Sequence, residues 1–235
     1  LLRHVRQLQL LEAELRHDLA GDVPDAFTTL AVAVNADSLE TWFPEAIADC
    51  VAQENLLLQL IVDDQDYTHA LLKNGDVIGC VTTQAQALTG CQSVCLGRMP
   101  YVCVATPAFA RRYFAHGVSA ETLRAAPAIL FNLKDSLHLN FMADYGLALN
   151  DFPYFTVPAV HALLNVVLAG LGYGLTPRLQ VADLLASGRL VDVLAGAPGP
   201  ALTLYWHSWA LQSPKLARFG AAVQAGAAQA MPTAL

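Results

Sequence analysis

The chain has 235 residues, 55% hydrophobic and 14% charged, with a formal net charge of −7. That length and apolar content suit one large or two small packed domains and exclude a disordered chain. An acidic chain without a basic patch makes a poor nucleic-acid binder by itself. No apolar run is long enough to span a bilayer; the longest, 159–175, contains His161, Asn165 and several glycines.

No basic-then-apolar signal segment opens the chain, and it lacks an initiator Met, as expected of a fragment or processed product. The five cysteines, Cys50, Cys80, Cys91, Cys95 and Cys103, are an odd number, mostly in strand-like runs. Without a secretion signal they read as reduced thiols in a cytoplasmic protein.

Residues 1–20 have helical periodicity, with Leu1, Val5, Leu8 and Leu15 on one seam, and end at Gly21 and Pro24. They read as a coiled-coil-like linker helix or as a helix packed on its own domain. Strand-like "TLAVAV" (29–34) leads into a helix over 35–53, with Asp37 or Ser38 as its cap. "LLLQLIV" (56–62) is a second strand, "QDYTHALLKNG" (65–75) a helix closed by Gly75, and "VIGCVTT" (77–83) a third strand. This βαβαβ order predicts a parallel sheet covered by helices.

A second set follows. "YVCVAT" (101–106) and "AILFN" (128–132) read as strands. "PAFARRYFA" (107–115), "DSLHLNFMADYG" (135–146) and the run from His161 into "GLGYGLTP" read as helical segments, the last ending in a turn and short strand. "PRLQVADLLASG" and "RLVDV" complete this lobe; "LTLYWHSWA" (202–210) and the helix after it return to the first. The expected architecture is α/β: two Rossmann-like lobes joined by a double crossover, like type 2 periplasmic binding proteins. Lobe I covers 27–100 and 202–235, and lobe II covers 101–201. Open parallel sheets bind ligands outside the carboxyl ends of their strands. That rule explains why Asn35, Asp37, Asp63, Asp64, Thr82, Thr83 and Asn132 all follow strand-like runs: they would line one crevice.

Catalytic chemistry has little support. There is no G-x-S-x-G elbow, and the C-x-x-x-C of "TGCQSVCLG" lacks a His or second Cys pair at zinc-like spacing. "GLGYG" follows a helix rather than a strand, against a dinucleotide loop. The histidines are scattered; His161 opens a helix, and His207, between tryptophans, reads as packed. Asp66 reads as a helix cap and Asp63 as solvated, whereas Asp37 and Asp64 are placed to meet a cationic ligand. No cofactor, metal or enzymatic activity is expected.

The two β/α lobes, "LLKNGDVIG" and "AGLGYGLTP" together resemble the effector half of LysR-type transcriptional regulators, across essentially the whole chain. "AVNADSL", "LIVDDQDYTHALL", "GCVTTQ", "FNLKDSL" and "LYWHSW" are similar to the lysine- and arginine-sensing ArgP/LysG branch, which activates amino-acid exporter genes. Ile78 stands where many members carry an acid. The resemblance implies a DNA-binding winged helix-turn-helix absent from this chain, homodimeric regulatory domains, a tetramer at full length and contact with RNA polymerase. It also implies a ligand, L-lysine or L-arginine. Ser38 and the helix start after Asn35 would hold the α-carboxylate, Asp37 a cationic group, and Asp64 the other end of the ligand. Thr82 and Thr83 would add hydroxyls, and Asn132, Asp135 and His161 would close the site from lobe II. The competing reading is a transporter's solute-binding protein, against which the missing signal and the first helix count.

Overall fold

The computed structural model describes residues 27–62, 65–211 and 213–231. The expected linker helix at 1–20, Asp63 and Asp64 lie outside the described residues. Unit 1 comprises residues 1–98 and 203–235, and unit 2 comprises 99–202. The lobe boundaries expected from sequence were 100/101 and 201/202. The chain passes between the units within two strands, not in loops: β4 (Cys91–Ala105) and β9 (Ala201–Trp209).

In unit 1 the described strands β1 (Thr28–Val34), β2 (Leu56–Val62) and β3 (Gly79–Thr82) are ordered β2-β1-β3-β9, with β4 beyond β9. β1 runs parallel to β2 and β3, whereas β3 and β9 are antiparallel. The sheet is therefore mixed, not purely parallel as expected. β1 is the central parallel strand, and Leu30, Val32, Ala33 and Val34 are all buried on it. Burial on both faces explains its unbroken apolar run.

The helix expected over 35–53 is two helices, α1 (Ala36–Glu40) and α2 (Phe43–Gln53). Pro44 sits in the first turn of α2, where its missing N–H costs nothing; one continuous helix would need that N–H for Glu40. The chain breaks at Thr41, with φ −119° and ψ −89°. Helix α3 (Gln65–Asn74) ends as the sequence indicates: the N–H of Gly75 (φ 83°) donates to Leu72 and that of Asp76 to Leu71.

Unit 2 contains the second half of β4, then α4 (Pro107–Tyr113), α5 (Ala120–Ala125), β5 (Ala128–Leu130), α6 (Ser136–Ala143), β6 (Tyr154–Thr156), α7 (Val160–Leu168), β7 (Tyr173–Pro177), α8 (Arg178–Ala186) and the short β8 (Val191–Asp192). The order is β4-β7-β5-β6, with β5 parallel to β6 and β7. Both units thus repeat one plan: a central strand (β1, β5), the next strand on one side (β2, β6) and the third on the other (β3, β7). The sequence reading missed α5 and β6. It also began this unit's first strand only at Tyr101, whereas β4 runs unbroken from Cys91 to Ala105. Alternation along β4 serves two cores: Cys103 and Ala105 face Phe109, Phe114, Leu123 and Met142, while Val102 and Val104 face Ile129, Leu163 and Val167.

Helix α9 (Pro214–Ala230) returns to unit 1, capped by Ser213, whose hydroxyl accepts from Leu216 N at 3.1 Å. It packs on α2: a Cβ on Gly226 would come within 2.7 Å of Ala46 Cα, and Arg218 Nη2 donates to Glu54 Oε2 at 2.8 Å. So α9 covers the face of α2 that carries Ala46, inside one chain.

His138, on α6, is 1% exposed, and neither ring nitrogen has a partner. Its ring stacks on Phe152 at 6.4 Å and lies near Phe141 and Tyr173. Burial lowers its pKa from 6.5 to about 4, and Asp135 opposes that shift without reversing it. The folded protein holds this imidazole neutral, and the unfolded chain protonates it first.

Two outcomes are expected. A Cβ on Gly79 would meet the Trp206 ring and approach His207 O at 2.9 Å. Gly79→Ala should therefore cost about 1–3 kcal/mol in urea unfolding, as overpacked cores do. For His138, the depressed pKa means stability is complete above pH 6.5 and is lost as pH falls toward 4, by about 3 kcal/mol in all. His138→Phe should fill the aromatic cage without that penalty. Thermal midpoints measured from pH 7 to 4.5 should fall less steeply in the variant than in wild type.

Candidate functional site

In unit 1 the strand order β2-β1-β3 creates a switch point at the carboxyl ends of β1 and β3, because the chain leaves β1 toward β2 on one side and leaves β3 toward β4 on the other. The register puts Val34 beside Val62, so the loops after β1 and β2 leave the sheet side by side. Continuing the Ala33↔Cys80 pair by two residues sets Asn35 opposite Thr82. Asn35, Asp37, Ser38, Thr82 and Thr83 are thereby gathered at one sheet edge. Asp64 lies outside the described residues.

Asn35 is extended (φ −67°, ψ 148°), and its carbonyl accepts from Leu39 N at 3.1 Å. Its side chain caps nothing, and its Oδ1 is buried without a partner. Ser38 is fully buried on α1, and its Oγ also has none. One buried acceptor and one buried hydroxyl, three residues apart, leave unmet hydrogen-bonding capacity of a kind that costs about 1–3 kcal/mol per group. Asp37 is half-buried in the first turn of α1, and its carbonyl accepts from Thr41 Oγ1 at 2.6 Å. Thr82 is 1% exposed and uses its Oγ1 to accept from Gln84 N at 3.2 Å. Thr83 is half-buried beside it. Since α1 has only five residues, its dipole is weak, and the side-chain atoms carry the polarity of this edge.

The strand ends of unit 2 are more fully engaged. Asn132 Oδ1 accepts from Lys134 N at 2.7 Å, forming a tight turn. Asp135 caps α6: Oδ1 accepts from His138 N at 3.1 Å, and Oδ2 from Phe131 N at 3.3 Å. Its carboxylate is thus tied to the backbone on both oxygens, a job that its position before "SLHL" allows but does not announce. His161 is exposed in the first turn of α7, whose cap residue, Ala159, offers no side-chain acceptor. Sequence reasoning passed over two further polar groups here. Thr176 Oγ1 and Gln180 Oε1 are buried without partners at the end of β7 and the start of α8.

The described residues hold no catalytic constellation. No group of three or more His, Cys, Asp or Glu side chains among them could hold a metal. All five cysteines are free. Burial pushes Cys80 up to about 12 and Cys103 higher still, far from the thiolate a nucleophile needs. His207 is fully buried on β9, as its setting between tryptophans suggests. Among the described residues no helix is long and apolar enough to cross a membrane. The charge is unevenly shared. Between residues 27 and 98 nine acidic side chains stand against Lys73 and Arg98, whereas residues 99–202 carry six of each sign.

Comparison with known proteins gives a consistent picture. The model of the LysR substrate binding domain matches residues 26–228. The HTH-type transcriptional regulator ArgP of Aeromonas salmonicida is 40% identical over 215 residues, 90% of this chain and 71% of that protein. The crystal structure of ArgP from Mycobacterium tuberculosis superposes with a TM-score of 0.89 at 32% identity, over 99% of this chain and 78% of that one. Full-length LysG from Corynebacterium glutamicum with bound effector Arg gives 0.84 at 32% identity, over 97% and 76%. These relatives are transcriptional regulators, not enzymes.

Proposed function

The chain belongs to the LysR family, as the effector-binding domain of an ArgP/LysG-like transcriptional regulator, and from that premise we propose that it binds a basic L-amino acid, arginine or lysine. The observation that carries this reading is the pair of unsatisfied buried atoms at the switch point of unit 1, Ser38 Oγ and Asn35 Oδ1. A zwitterion complements them: its carboxylate accepts a hydrogen bond from the serine hydroxyl, and its ammonium donates one to the asparagine oxygen. Asp37 and Asp64 supply counter-charge for the side-chain cation. The acidic bias of residues 27–98 draws a cation toward this edge, and the LysG relative was solved with arginine. Thr82 and Thr83 add polar contacts, and Asn132, Asp135 and His161 are proposed as contributors from unit 2.

The wider biology follows the same proposal. Ligand occupancy would control transcription, most simply of an amino-acid exporter gene, in the cytoplasm. DNA would be held by a winged helix-turn-helix outside this chain, with RNA polymerase as a further partner. Self-association as a homodimer, and as a tetramer at full length, is supported by two apolar sheet edges. β2 exposes Leu57, Leu60 and Val62, and β6 exposes Tyr154 and Phe155. Uncharged edge strands of this kind invite pairing with a second copy.

Calorimetric titration with L-arginine and L-lysine tests the ligand. Binding of at least one is expected, and Asp37→Asn, Ser38→Ala or Asp64→Asn should each weaken it by about 1.5–3 kcal/mol. Unaltered affinity in all three would refute the assignment. Sedimentation across micromolar concentrations should show a dimer, and Leu60→Glu on the β2 edge should shift it toward monomer. A monomer at every concentration would rule out self-association through these edges.

A further inference from the structure

Lys215 is the second residue of α9 and is only 9% exposed. Its position is unfavourable twice over. A cation in the first turn of a helix opposes the helix dipole, and a buried ammonium loses much of its hydration. Among the described residues its Nζ has one hydrogen-bond partner, Thr28 Oγ1 at 3.1 Å. Thr28 is the first residue of β1, and its hydroxyl carries no charge. An ammonium has three protons to donate, so two remain, and no carboxylate among the described residues meets the charge.

The nearby acid is already taken. Thr28 N donates to the Asn55 carbonyl, which brings the end of α2 close to Lys215, yet both oxygens of Glu54 are held by Arg218. The distribution of charge along the chain sharpens the point. No Lys or Arg falls between Arg16 and Lys73, so the acids of that stretch must find their cations elsewhere. Helix α9 brings two, Lys215 and Arg218. Arg218 is matched, and Lys215 is left.

The chain itself limits where an anion can come from. Phe27, 64% exposed, precedes Thr28, and it is reached through residues 22–26, which lie outside the described residues and carry Asp22 and Asp25. By any path, the Cα of Asp25 stays within about 11 Å of the Cα of Thr28, because only three residues separate them. Lys215 Nζ already touches Thr28, so the Asp25 carboxylate is within its reach. Asp22 must close twice as long a segment and loses more entropy in doing so.

We propose that Lys215 docks the segment leading into β1, its ammonium pairing with the carboxylate of Asp25. The pair ties that segment to α9 as well as to β1, and so fixes the direction in which the chain leaves unit 1 toward residues 1–20. In the regulator proposed above, this segment lies between the sensing unit and the DNA-binding part, where a held joint passes on a movement that a slack one would absorb. The pairing does not depend on the identity of the ligand.

The test uses the full chain with Lys215→Met, Asp25→Asn, the two combined, and Asp22→Asn as control. The thermal midpoint and the rate of thermolysin cleavage at Phe27, followed by mass spectrometry, are measured for each. Lys215→Met and Asp25→Asn should each lower the midpoint by about 2–4 °C and speed cleavage at least fivefold, and the combination should do no more than either alone. Asp22→Asn should change cleavage less than twofold. A midpoint that stays or rises in Lys215→Met overturns the proposal, because the ammonium would then be a buried charge paired with nothing. Additive effects of the two substitutions overturn it too, as does cleavage within twofold of wild type in Asp25→Asn. An effect of Asp22→Asn as large as that of Asp25→Asn overturns the assignment to Asp25. Should Lys215→Met fail to fold, the cleavage rate of Asp25→Asn decides by itself: a fivefold rise supports the pair, and an unchanged rate overturns it.

Discussion

Parallel strands cannot be joined by a hairpin, so each return must cross a face of the sheet before the next strand can be laid down. In both units the second strand goes to one side of the first and the third strand to the other. The chain therefore leaves the central strand toward one side of the sheet and leaves the third strand toward the other, and the backbone opens between their two carboxyl ends. Everything polar at the candidate site sits on that opening. Asn35, Ser38 and Thr82 lie at it in unit 1. The buried apolar strands are what let a few polar atoms matter there, because no water competes for them.

The polar groups divide into two kinds. Asp135, Asn132 and Thr82 make backbone hydrogen bonds that hold the strand ends in shape. Ser38 Oγ, Asn35 Oδ1, Thr176 Oγ1 and Gln180 Oε1 hold nothing. Unmet hydrogen-bonding capacity also lies inside the cores, on Trp42 Nε1 and both His138 ring nitrogens, but that of Ser38 Oγ and Asn35 Oδ1 falls just beyond the end of a parallel strand, where ligands of α/β proteins bind. The acidic excess of residues 27–98 adds a long-range preference for cations.

Much of this was legible in the sequence. The apolar runs of β1 and β2 with their polar ends, the glycine closing α3 and the separated strings shared with one regulator branch give the fold and the unit 1 edge. What escaped has physical causes. The break at Thr41 is hidden because the apolar stripe of Trp42, Phe43 and Ile47 keeps helical spacing through it, and only Pro44 betrays it. Strand β4 seems interrupted because its core-facing pattern changes where the chain leaves one unit for the other. Asp135 looks like any strand-end acid until its two oxygens are found on backbone donors. His138 reads as an ordinary helix residue, since no pattern in one dimension shows an aromatic cage. Thr176 is concealed inside "GLGYGLTP", where the glycines draw the eye.

The interruption of unit 1 by unit 2 has a consequence for how the chain is made. β9 takes its place between β3 and β4, yet it is synthesised about a hundred residues after either. Unit 2 is one continuous segment and can complete its own cores as it leaves the ribosome. Until β9 arrives, β3 keeps an unpaired edge and the two strands that flank β9 in the sheet have nothing between them. Closing so long a loop costs little more free energy than closing a short one, because the entropic term grows only logarithmically. It does delay the event, since distant pairings are slow to form. Unit 1 therefore finishes last, and a nascent chain halted before residue 201 would present a finished second unit beside an unfinished first one, with the apolar edge of β3 open to whatever strand meets it.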